Sequence, residues 1–71
     1  MKENPLRTAR KRAGKTVREV VEYFASAGLP VSIGAVYQWE TGVRIPRTNK
    51  LLHLASLYGC TVDDLIRPGK H

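Results

Sequence analysis

The chain is poor in cysteine, aromatic residues and acidic charge, and it has no long apolar run. It holds 71 residues with one Cys, five aromatics (one Trp, three Tyr, one Phe) and six Asp+Glu against twelve Lys+Arg. One cysteine excludes an intrachain disulfide framework and a multi-thiolate metal site. No apolar stretch nears the roughly 18 residues that span a bilayer. Met1-Lys2-Glu3-Asn4 leads into a basic segment rather than an apolar one, so no secretory leader is expected, and a lone thiol fits a cytoplasmic protein. At this length one domain with a small core is expected. The 42% hydrophobic content is nevertheless too high for a disordered chain.

What is present is basic charge, unevenly spread. Residues 1–18 carry a net +6, residues 19–43 a net −3 with no cation, and residues 44–71 a net +3. Two basic zones flanking a cation-free middle form the electrostatic footprint of a nucleic-acid binder. The competing reading is a solvated face that keeps a small protein soluble. Anionic membrane binding is disfavoured, because no strongly basic amphipathic helix with an aromatic face appears.

Local signals predict five short helices and no strand. Asn4-Pro5 opens a helix that Gly14 closes. Thr16-Val17-Arg18-Glu19 is a capping box, followed by Val17, Val20, Val21, Phe24 and Ala25 on one face up to about Ala27. Ser32 caps a third helix that Gly42 ends. A fourth runs from about Thr48 to Gly59, with Leu51, Leu52, Leu54, Ala55 and Tyr58 apolar, and a fifth begins at Thr61 with acids in its first turn. Pro68 to His71 reads as a flexible tail beyond a domain over residues 1–67.

The third helix is divided. Val36 and Trp39 share an inward face, and their register marks Trp39 as core rather than a base-stacking residue. Ile33, Gly34, Tyr37, Gln38 and Thr41 remain on the other side, with no charge among them. Exposed faces normally carry Lys or Glu. An uncharged one suits the floor of a DNA major groove, where Gln bonds adenine edges and apolar groups meet a thymine methyl. Arg44 and Arg47 stand just outside, placed to clasp phosphates.

The runs Thr16–Val21, Val31–Gly42 with its Trp39-Glu40-Thr41-Gly42 ending, Arg44-Ile45-Pro46, Leu51–Ala55 and Tyr58–Leu65 together resemble the lambda-repressor-like helix-turn-helix family of Cro/CI or XRE type. The resemblance covers residues 6–66. It implies an all-α, compact five-helix DNA-binding domain whose helix-turn-helix is formed by helices 2 and 3. It also implies a homodimer on a palindromic double-stranded operator. By position, Ile33, Gly34, Tyr37 and Gln38 face bases, and Ser32, Thr41 and Arg44 face phosphates. Arg10 pairs with Glu40 as a structural salt bridge. Two departures stand out. The family's usual phosphate-contacting Gln is Val17 here, so that clamp is weaker or Lys15 and Arg18 replace it. The Ser26–Pro30 link is also about five residues longer than in short-turn members.

The remaining features read as structural. Cys60 is expected to be a buried packing thiol, and His53 to sit on the exposed side of helix 4. Asp63 and Asp64 point apart on a helix and suit its start, not general acid–base catalysis. No metal site, cofactor fingerprint, nucleophile–base pair or small-molecule site is evident, so no enzyme is expected. Leu57, Val62, Leu65 and Ile66 are either leftover core or a dimer surface. Of Lys2, Arg7, Lys11 and Lys15, only some face DNA. The leading expectation is a sequence-specific, repressor-type transcriptional regulator. The alternative is a protein-interaction module on the same fold, such as an antitoxin or accessory subunit.

Overall fold

A computed structural model describes residues 4–66, so the expected tail at 68–71 lies outside the described residues. Over that span the chain forms five helices: α1 (Pro5–Arg12), α2 (Val17–Ser26), α3 (Ile33–Thr41), α4 (Thr48–Tyr58) and α5 (Val62–Ile66).

Four of the five starts are fixed by a side chain that replaces a missing intrahelical acceptor. Asn4 Oδ1 accepts from the Leu6 N–H at 2.8 Å, with Pro5 in the first turn. Thr16 Oγ1 accepts from the Glu19 N–H at 3.1 Å, and Glu19 Oε1 accepts from the Thr16 N–H at 2.8 Å. Ser32 Oγ accepts from the Ala35 N–H at 3.0 Å. Thr61 and Asp64 repeat the reciprocal box at α5, both bonds at 3.1 Å. Only α4 begins without a side-chain cap.

The ends of α1, α2 and α4 share one closure. The N–H groups of Lys15, Leu29 and Cys60 reach back five residues to the carbonyls of Arg10, Phe24 and Ala55, at 3.1, 2.9 and 3.0 Å. Such a closure needs a left-handed residue one position earlier, and Gly28 supplies it at φ 78° between α2 and α3. This turn brings Leu29 and Val31 back against the core. The long link is therefore anchored by two apolar side chains, with Pro30 exposed between them.

Helix α1 packs on α3, α4 and α5; α2 packs on α3; α4 packs on α5. Phe24, fully buried, lies at the centre, its ring edge-on to Tyr23, Trp39 and His53 at centroid distances of 5.4, 5.9 and 5.9 Å. Such contacts contribute about 0.5–1.5 kcal/mol each beyond burial. Two expectations are corrected here. His53 is half-buried, and its Nδ1 meets the Tyr23 hydroxyl at 2.8 Å; α4 turns that position toward α2 instead of solvent. Cys60 is half-buried rather than buried, and burial followed by the charge of Asp64 pushes its thiol pKa upward. Of the two readings left open for the apolar residues of helices 4 and 5, leftover core holds for most of them. Leu65 is core, Leu57 and Val62 pack against it, and only Ile66 of the four is exposed.

Candidate functional site

Helix α3 owes its orientation to its buried side. Val36 and Trp39 enter the core, and Glu40 is buried beside them at 7% exposure. A buried carboxylate without a partner would be costly. Glu40 has one: Arg10 Nε donates to its Oε2 at 2.6 Å and Arg10 NH2 to its Oε1 at 3.1 Å. Arg10 NH1 also donates to the Lys15 carbonyl at 2.9 Å. The fork ties α3 to α1 and to the α1–α2 turn. Its hydrogen bond to Glu40 raises the Arg10 pKa against the opposing effect of burial.

The opposite side of α3 is open. Gly34, Gln38 and Thr41 are exposed, and Ile33 and Tyr37 remain 46% and 53% exposed. A Cβ added at Gly34 would meet only the Ser32 Oγ, at 3.8 Å. Nothing in the fold requires glycine there, although glycine inside a helix is about 1 kcal/mol less favourable than alanine. The Thr41 hydroxyl lies 3.4 Å from the Gln38 carbonyl.

A groove of about 590 Å³ runs along one flank of this face. Its walls are α1, the start of α2 and the α3 stripe of Ile33, Tyr37 and Thr41, four residues apart. Arg7, Arg10 and Arg18 line it, with Glu40 as the one acid. Of the two cations expected to replace a glutamine at Val17, Arg18 reaches the groove. Lys15 is half-buried and does not line it. Arg7 lines it as well. Its i, i+3 spacing from Arg10 is the sequence signal that selects it from the N-terminal basic group.

On the other flank Arg44 and Arg47 are exposed in the α3–α4 loop, where the Arg44 N–H donates to the Gln38 carbonyl at 3.1 Å. Ser32 is exposed at the start of α3 as its cap. Arg44 also borders a second, apolar groove of about 410 Å³, formed by Leu6, Ile45, Pro46, Leu51, Leu65 and Ile66 among others.

Residues 6–65 match the model of a helix-turn-helix family of XRE/Cro–CI type. The chain belongs to that family. Its members are DNA-binding regulators. Comparison with curated proteins and with solved structures finds no match. In this helix-turn-helix chain the motif is α2, the Gly28 turn and α3. Among the described residues, no helix is long and apolar enough to cross a membrane, and no three His, Cys, Asp or Glu side chains stand together to hold a metal.

Proposed function

We propose that this chain is a sequence-specific, repressor-type regulator that places α3 in the major groove of double-stranded DNA and binds a palindromic operator as a homodimer. The observation that carries this reading is the exposed, charge-free face of α3, including a glycine that the fold itself does not need. In this reading Gln38 bonds a base edge, Ile33 and Tyr37 offer apolar contact, and Gly34 admits close approach of the helix. Ser32, Thr41, Arg44, Arg47, Lys15 and Arg18 hold the flanking phosphates, which set register without reading sequence. Arg10 and Glu40 act behind the helix, holding its angle.

Dimerisation follows from the size of the reading head. One nine-residue helix reads a single half-site, and two copies related by a two-fold axis read half-sites about 34 Å apart.

Selection of bound duplexes from a random pool tests the proposal. A two-fold symmetric motif is the expected result. Retention of random duplexes with no enriched motif would sink sequence-specific recognition, and an enriched motif without symmetry would sink the dimer.

A further inference from the structure

The groove between α1, α2 and α3 has a charge that the fold does not use. Three arginines line it, and Glu40 compensates only Arg10. Arg7 and Arg18 are exposed and make no hydrogen bond or ion pair to the described residues. They approach the groove from two different helices. The Arg10–Glu40 pair ties α1 to α3, and Arg10 NH1 holds the Lys15 carbonyl in the turn that leads into α2.

Two other grooves among the described residues carry less charge. The apolar groove holds a single charged side chain, Arg44. A third, between α1 and the α4–α5 turn, has one arginine and one aspartate, Arg12 and Asp64. Of the three, the α1–α2–α3 groove has the largest excess of positive charge.

We propose that this groove seats one backbone phosphate of DNA, clamped from opposite sides by Arg7 and Arg18. The proposal rests on the DNA-binding reading above and adds to it a residue, Arg7, that lies outside the two helices of the motif. Guanidinium forks match the oxygens of a phosphate diester, and two of them on separate rigid helices leave little freedom in where the phosphate sits. The source of the phosphate follows from the third wall. Ile33, Tyr37 and Thr41 belong to α3, so a duplex with α3 in its major groove runs its backbone along that wall. The seat then fixes how far α3 enters and at what angle, which is a positioning role rather than a reading one.

The test uses the 71-residue chain and two duplexes, one recovered by selection and one of random sequence. Arg7→Ala, Arg7→Lys and Arg18→Ala are compared with wild type by fluorescence anisotropy across a salt series. Arg7→Ala and Arg18→Ala are each expected to weaken both duplexes severalfold by a similar factor, and to flatten the slope of log affinity against log salt by about 0.9. Arg7→Lys is expected to keep the slope and lose part of the affinity. Thermal melting of each variant is expected to match wild type, because neither arginine has a partner among the described residues. A set of selected duplexes, each with one neutral methylphosphonate, locates the contact: one position should weaken wild type and leave Arg7→Ala unaffected.

An unchanged slope in Arg7→Ala would overturn the proposal while leaving the DNA reading intact. So would a loss confined to one sequence, which would make Arg7 a base reader. Tight binding of inorganic phosphate alone, abolished by Arg7→Ala, would assign the groove to a free anion instead. Failure of the wild-type protein to prefer any duplex would defeat the underlying reading, and is distinguishable because it precedes any variant.

Discussion

Two grooves of this small domain border α1 and share almost nothing chemically. One is walled by α2 and α3 and is lined by three arginines around a buried glutamate. The other, by the α3–α4 loop and α5, is apolar apart from Asn4 and Arg44. The difference shows how a domain with few core residues divides its work. The polar groove is floored by an ion pair that locks α1 to α3, so geometry there is fixed by directional bonds. The apolar groove is floored by Leu6, Trp39, Leu51 and Leu65, so geometry there is fixed by packing alone.

Removing the floor of the polar groove should have the largest effect. Glu40→Ala leaves the Arg10 guanidinium largely enclosed without its carboxylate, and breaking such a pair costs about 3–5 kcal/mol. In a domain of this size that lowers Tm by more than about 12 °C, measured by circular dichroism. An unchanged Tm would mean that packing, not the pair, orients α3.

Gln38→Ala lies on the open side of the same helix and should leave Tm alone. It is expected to relax preference at one base pair by about 1–3 kcal/mol, read by competition among single-substitution duplexes. A uniform loss over all duplexes would move Gln38 to the phosphate set.

Tyr58 stands behind the polar floor. Burial, and then the charge of Glu40, push its phenol pKa well above the ordinary value. A group whose folded pKa is raised contributes stability in full below its unfolded value, near 10, and loses it as pH rises past that value. Stability should therefore fall by about 1 kcal/mol near pH 11, with Tyr58→Phe removing most of that fall. A Tm profile of Tyr58→Phe that declines as steeply as wild type would contradict the burial argument.

Gly34→Ala is expected to raise stability by about 0.5–1 kcal/mol, since the added Cβ meets open space in a helix, while weakening DNA binding. Stabilisation with unchanged binding would mean that nothing approaches α3 at that point. The smallest effect is expected at the apolar groove. Ile66→Lys, on a side chain already 50% exposed, should stay within about 0.5 kcal/mol of wild type in monomer stability.

Legibility in the sequence followed the range of the interactions. The caps at Asn4, Thr16, Ser32 and Thr61 involve partners two or three residues away, so their spacing alone identifies them. The Arg10–Glu40 pair spans 30 residues and was anticipated only through family resemblance. The Tyr23–His53 bond spans the same distance without such help, and helical periodicity alone left His53 on the wrong side. Near α5 the sequence leaves core and surface equally open for four apolar residues, because nothing local says that α1 lies over Leu65. Residue type also misleads in the α3–α4 loop, where Pro46 is buried and Ile45 is 80% exposed.

The sequence by itself determined five helices, four of them with side-chain caps, the family, and an α3 with one apolar and one uncharged open face. These follow from periodicity and capping, which act within one or two turns. Only the tertiary structure decided which cations remain available. It commits Arg10 to Glu40, while Arg7 and Arg18 converge on one groove. That selection depends on how α1, α2 and α3 are packed together, and no spacing along the chain encodes it.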